Sequence, residues 1–157
     1  MDSATIRPAT AQDARALSDL ALRSKAHWGY DSEFLELCHD DLAVTEAHIA
    51  TRHLGVAVDG ESVLGFFMLG ESADVLDMLF VDPGAMGRGV GRMLLAEAVR
   101  AARARGIRAL LIDSDPFAEG FYLAAGARRI GEVPSGSIPG RTLPQLELPV
   151  GGLPGTS

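Results

Sequence analysis

Apolar residues recur along this chain in two periods, and the switches between them mark out its elements. The stretch TIRPAT reads as a short strand ending at Pro8. Ala14, Leu17, Leu20 and Ala21 then share one helical face in QDARALSDLALRSKAHW, with Thr10 or Asp13 as the cap. GYDS breaks that helix. Asp31 or Ser32 starts a second over EFLELCHDDL, and Thr45 caps a further turn or two in VTEAHIATR. Two runs rich in Val, Leu and Phe follow in HLGVAVDGESVLGFFML. Asp59-Gly60 between them is turn chemistry of the primed type and predicts a hairpin. ADVLDMLFVDP predicts a long strand ending at Pro83. In GRGVGRMLLAEAVRAARARG, Val90, Met93, Leu94 and Val99 form the apolar stripe of a helix that stops at Gly106. IRALLID reads as a buried strand, and PFAEGFYLAAGA as a helix with Pro116 in its first turn and Gly126 as its stop. RRIGEVP and LPQLELPV read as closing strands around the loop SGSIPGR, and the tail 151–157 as frayed.

Helices lie between strands, but a hairpin occupies the middle. This order predicts one α/β domain over residues 1–157, with a mixed sheet covered on both faces rather than a purely parallel one. The chain's most distinctive stretch is VDPGAMGRGVGRMLL, where Gly87, Gly89 and Gly91 open a helix. Close glycines let backbone N–H groups approach an anion, and the first helical turn adds unpaired donors and the positive end of the dipole. It is not a P-loop, because the lysine and hydroxyl of G-x-x-x-x-G-K-[S/T] are missing and the lone Lys25 is distant in sequence. A dinucleotide fingerprint also fails. Counting from Gly87 the sixth position is Arg92, from Gly89 it is Leu94, and Pro83 intervenes after the strand, although Asp113 and Asp115 lie near the expected acidic spacing.

Composition narrows the partners. A formal net charge of −7 argues against nucleic acid. The six arginines from Arg88 to Arg108 give the acidic chain a basic face suited to a small anion. No apolar run approaches the ~18 residues of a membrane helix. No signal peptide is evident at the N-terminus, and Cys38 has no partner for an intrachain disulfide, so the cytoplasm is expected. His39, His48 and His53 have no ligand spacing, so no metal is expected, and Cys38 reads as a buried structural thiol.

The strand-loop-helix LFVDPGAMGRGVGRMLL, followed by DPFAEGFYLAAGA with Ala118, Tyr122 and Gly126 in register, resembles the GNAT superfamily of acyl-CoA-dependent N-acetyltransferases, in particular a bacterial subgroup. The resemblance covers roughly residues 4 to 150. It implies the GNAT fold, a central, mostly antiparallel sheet of about seven strands with helices on both faces, and acetyl-CoA as cofactor. Gly87, Gly89 and Gly91, with Met86, Val90 and the arginines Arg88 and Arg92, would hold the pyrophosphate. Leu79, Phe80 and Val81 would pair with the pantetheine arm, and the N–H near Leu79 would polarise the thioester carbonyl. Ala118, Tyr122 and Asp115 would complete the cofactor site. Met86 replaces the polar residue usual at the head of the loop, and Asp115 replaces an asparagine.

An amine must lose a proton to attack, since alkyl ammonium groups have pKa values around 10. Asp77, on the strand of Leu79 and expected on the same face, is the candidate base; Tyr122 is the candidate acid for the leaving thiolate. His27, Trp28, Tyr30 and Glu33 follow the first helix, where the family builds its acceptor site. In SGSIPGR, Ser137 and Arg141 read two ways: capture of a substrate carboxylate, or contact with a second subunit of a homodimer. The expected reaction is transfer to a primary amine of a small-molecule or amino-acid-like acceptor in a ternary complex. The alternatives are a non-catalytic acyl-CoA sensor on the same fold and an acetyltransferase for protein N-termini or lysines.

Overall fold

A computed structural model of the chain describes residues 4–150; the tail expected to fray lies outside them. The elements run β1 (Thr5–Pro8), α1 (Ala14–His27), α2 (Ser32–Cys38), α3 (Glu46–Thr51), β2 (Leu54–Asp59), β3 (Ser62–Leu69), β4 (Leu76–Val81), α4 (Val90–Ala104), β5 (Ala109–Asp113), α5 (Glu119–Ala124), β6 (Arg128–Pro134) and β7 (Thr142–Pro149). Asp31 caps α2 by accepting from the Phe34 N–H, and Thr45 caps α3 by accepting from that of His48.

The expected sheet is present but divided. β1–β2–β3–β4 form an antiparallel four-stranded sheet, and β7 inserts between β5 and β6 to make an antiparallel three-stranded one. The two meet where β4 and β5 start side by side. A single parallel bridge joins Val75 to Leu111, and the Leu111 N–H donates to the Asp74 carbonyl at 2.9 Å. Beyond it β4 and β5 separate.

Two hydrophobic clusters clothe the sheet. One gathers Phe67, Leu94, Ala98, Leu110 and Leu146 beneath α4 and α5; the other gathers Leu17, Leu20, Phe66 and Met68 beneath α1 and α2. Phe66 and Phe67, adjacent on β3 and fully buried, serve opposite faces, as strand alternation requires. Each contributes roughly 1.5–3 kcal/mol by burial.

Four local expectations change. The hairpin turn falls on Gly60-Glu61, because Asp59 pairs with Ser62. Only Gly60 has positive φ there, +62°, the pattern of a type II′ turn. α2 ends at Cys38, where the His39 N–H turns back to the Glu36 carbonyl, so Asp40 and Asp41 lie outside it. β4 begins at Leu76 rather than at Ala73, because Ala73 adopts φ +64° and its N–H closes a tight loop onto the Gly70 carbonyl. The buried stripe of α4 is broader than predicted, adding Leu95, Ala98 and Ala102, while Met93 and Val99 are partly buried at its margins.

Candidate active site

The divergence of β4 from β5 opens a cleft of about 710 Å³. Its floor is the freed edge of β4. In an antiparallel ladder, hydrogen-bonded and non-bonded pairs alternate. The Asp82 N–H donates to the Leu64 carbonyl at 2.8 Å, and the register runs Phe80 to Phe66 and Met78 to Met68. Residues 78, 80 and 82 therefore bond inward to β3, whereas the N–H and C=O of Leu79 and Val81 point away from it, toward the cleft.

At one end of this edge sits the glycine loop. Asp82 accepts from the Gly84 N–H, and Pro83–Ala85 make a single 3₁₀ turn, which sets the loop off from the strand. Gly87 and Gly89 adopt φ of +84° and +81°, and a Cβ on either would meet no atom within 4 Å. Their surroundings are open, and the positive φ is what favours glycine. Gly89 caps α4, whose first intrahelical bond runs from the Met93 N–H to the Gly89 carbonyl at 3.1 Å. The amides of Val90 to Arg92, in the first turn of this 15-residue helix, have no acceptor within it and can turn to an anion. Gly91 has a different reason: a Cβ there would lie 3.3 Å from the Phe121 ring.

The opposite wall comes from the β5–α5 corner. Tyr122 is buried, lines the cleft and hydrogen-bonds no group among the described residues. Burial first, and the nearby Asp115 charge second, push its phenol well above the usual range, so it keeps its proton. Asp115 is the centre of a polar cluster. It accepts from Lys25 Nζ at 2.7 Å, from the Tyr30 hydroxyl at 3.1 Å and from the Phe117 N–H at 2.9 Å. Arg141 donates to the Tyr30 hydroxyl at 2.7 Å and lies 3.6 Å from Asp115. Burial alone would raise the Asp115 carboxyl; Lys25, the Phe117 N–H and Tyr30 outweigh it and hold the group below the usual carboxylate range. Tyr30 is pushed up to about 12, by burial and then by the Asp115 charge.

At the far end of the β4 edge, Met68 pairs with Met78 and Leu69 with Leu76, which leaves Asp77 without a partner as the extra residue of a β-bulge. The bulge breaks strict alternation: Leu76 and Leu79, three apart, both pack on the α4 side. Asp77 therefore does not simply share the face of Leu79. Its carboxylate accepts from Arg52 at 2.8 Å. Burial raises its proton affinity above the ordinary value; Arg52 and His48 oppose the rise, and Asp113 adds to it.

Two motifs of one fold thus meet across one cleft, and comparison with known proteins agrees with what they suggest. The profile of the acetyltransferase (GNAT) domain matches residues 13–135. The chain belongs to the GNAT acetyltransferase family. A mycothiol acetyltransferase from Beutenbergia cavernae is 39% identical over 98 residues, 61% of this chain; the match spans only 27% of that longer protein. A peptidyl-lysine N-acetyltransferase, YjaB, from Salmonella typhimurium is 29% identical over 119 residues, 76% of this chain and 74% of its own. Among solved structures, a GCN5-related N-acetyltransferase from Rhodopseudomonas palustris superposes with a TM-score of 0.81 at 26% identity, covering 95% of this chain and 96% of that one. The PaiA N-acetyltransferase of Thermoplasma acidophilum, solved with coenzyme A, shares the fold with a TM-score of 0.78 at 20% identity, covering 94% and 99%. This is a GNAT domain whose cofactor is acetyl-CoA, and its free β4 edge and open amide cradle fit that cofactor's two amides and pyrophosphate.

In the GNAT cleft the structure gathers Leu79, Phe80, Val81, Met86, Val90 and Arg92 with the three loop glycines, and Asp77, Asp115, Ala118 and Tyr122 with Trp28, Ser137 and Arg141. Four expected residues stand elsewhere. Arg88 does not line the cleft and pairs with Asp59 of the hairpin at 3.2 Å. Tyr30 lies behind the wall, bonded to Asp115 and stacked on Phe34. His27 and Glu33 are exposed and do not line the cleft. Arg141 lines the cleft while donating to Tyr30 and lying 3.6 Å from Asp115. Lys25, set aside for its distance in sequence, is the residue missed: α1 carries it to Asp115, 90 positions away. The helical pattern places Lys25 one turn after Ala21, but only the docking of α1 against the β5–α5 corner brings the charges together. Among the described residues no cluster of His, Cys, Asp or Glu could hold a metal ion, and no helix is long and apolar enough to cross a membrane.

Proposed function

We propose that the chain transfers the acetyl group of acetyl-CoA to the primary amine of a small acceptor by direct attack in a ternary complex. The observation that carries this reading is the line of functional groups along one free strand edge: the glycine loop and the first-turn amides Val90 to Arg92, outward N–H groups at Leu79 and Val81, and Asp77 at the far end, with Tyr122 across the cleft. Acetyl-CoA, when bound, supplies the activated thioester. The Leu79 N–H is aimed to donate to a carbonyl oxygen, an interaction that strengthens as negative charge builds there. Tyr122, kept protonated by its surroundings, gives its proton to the departing sulfur. Asp77, whose raised proton affinity makes it a better base than an exposed aspartate, takes a proton from the amine directly or through water.

Two contacts favour a small acceptor over a long peptide. Asp41 and Ser137 hydrogen-bond, tying the segment after α2 to the β6–β7 loop at the cleft. Trp28 stacks on Phe117 with ring centroids 5.4 Å apart, forming an apolar lip. One relative is named for mycothiol and another for peptidyl-lysine; these contacts support the first kind of acceptor over a peptide. A cytoplasmic setting suits the buried free thiol of Cys38. Tyr122→Phe should lower kcat by about 10²-fold, the scale of one general acid, while the dissociation constant for acetyl-CoA stays within about twofold. Equal losses in both would remove Tyr122 from the proton path.

A further inference from the structure

Three costly features coincide where β3 hands over to β4. Asp77 occupies a bulge with no pairing partner. Ala73, four residues earlier, holds φ +64° although it is not glycine. Arg52, which reaches this corner from the end of α3, keeps its Nε buried with no hydrogen-bond partner among the described residues. An ion pair of convenience would leave that nitrogen in water. Here one end of the guanidinium is desolvated without return while Nη1 bonds Asp77 at 2.8 Å. The backbone of Arg52 is fixed as well: its N–H donates to the His48 carbonyl at 2.8 Å as α3 ends. Strain and unmet polar groups of this kind gather where a side chain must be held for function.

We infer that Arg52 is a positioning residue for the proton acceptor, holding Asp77 in its bulged orientation at the cleft and keeping it ionised between turnovers. This rests on Asp77 being that acceptor. The charged groups facing Asp77 are Arg52 and His48 from α3 and its end, and Asp113 from β5. Arg52 is the one fixed cation among them. Without it, burial and Asp113 act opposed only by His48, and the carboxyl gains proton affinity.

The test is an Asp77 side-chain ¹³C NMR titration of the full chain, assigned with Asp77→Asn and repeated in Arg52→Gln and Arg52→Lys. Acetyl-CoA affinity and amine-dependent CoA release are measured alongside. The Asp77 midpoint should rise by about one pH unit in Arg52→Gln, a tenfold change in proton affinity, and return most of the way in Arg52→Lys. kcat for the amine should fall while the acetyl-CoA dissociation constant holds. An unmoved midpoint in Arg52→Gln overturns the inference and leaves the Asp77 reading standing. Full turnover in Asp77→Asn overturns the Asp77 reading and the inference with it.

Discussion

Gly89 and Ala73 share a left-handed backbone for different reasons, and substitution separates them. At Gly89, φ +81° with open space around the missing Cβ means that Gly89→Ala meets no clash, only the conformational penalty. Urea unfolding should show a loss of about 1–2 kcal/mol, and the acetyl-CoA dissociation constant should rise as the cradle amides turn. At Ala73 the same region is occupied by an alanine whose methyl is fully buried. Ala73→Gly removes about 0.8 kcal/mol of burial but relieves about 1–2 kcal/mol of strain, so stability should change by less than about 1 kcal/mol. Ala98→Gly in α4 is the control. It loses the same burial and about 1 kcal/mol of helix propensity, and unfolding should report a deficit of about 2 kcal/mol.

Among elements, the β5–α5 corner is tied to α1 and the β6–β7 loop through Asp115, and that tie has a pH signature. The Asp115 carboxyl is held below its usual range in the folded chain, by Lys25, the Phe117 N–H and Tyr30 acting against burial. Its contribution is therefore present above the ordinary aspartate pKa and is lost as pH falls through the lower, folded value. Asp115→Asn removes that dependence. Acid titration of stability below about pH 4 should be shallower for the variant than for the parent, and the variant should be less stable at pH 7. Parallel acid limbs would mean that Lys25 does not stabilise the ionised form. This tie also shows what local pattern can and cannot reveal. The caps Asp31 and Thr45, the stops Gly106 and Gly126, and the glycine loop with its Tyr122 partner are legible because each depends on residues within about one helical turn or on a fixed spacing. The slip of the hairpin turn to Gly60-Glu61 and the bulge at Asp77 depend on how two strands pair, which no single run of residues encodes. Arg88 shows the same limit: its spacing beside the glycines suggests phosphate, and only the folded hairpin brings Asp59 to it.

At the scale of the whole molecule, the active cleft is a consequence of topology. β7 pairs with both β5 and β6, and β4 with β3, so the junction between the sheets keeps only the bridge at Val75 and Leu111. Past that bridge the β4 edge is unpaired, which a soluble sheet ordinarily covers or blunts; here it supplies the outward amides of Leu79 and Val81. The mixed, twice-covered sheet followed from element order, but its division did not, because the insertion of β7 joins segments more than thirty residues apart. Lys25 reaches the cleft, and Arg52 reaches Asp77 at its end, by the same long-range assembly. We propose that this opening performs acetyl transfer to an amine rather than merely binding acyl-CoA. The direct measurement is CoA release from acetyl-CoA across amino acids, polyamines, aminoglycosides and peptides, read with a thiol reagent, to which Cys38, at 5% exposure, adds little background. At least one small primary amine should accelerate release well above the rate with acetyl-CoA alone and yield its N-acetyl product by mass. A protein that acetyl-CoA stabilises against heat, yet that releases no CoA with any amine in the panel, would contradict the claim and leave a sensor on the GNAT fold.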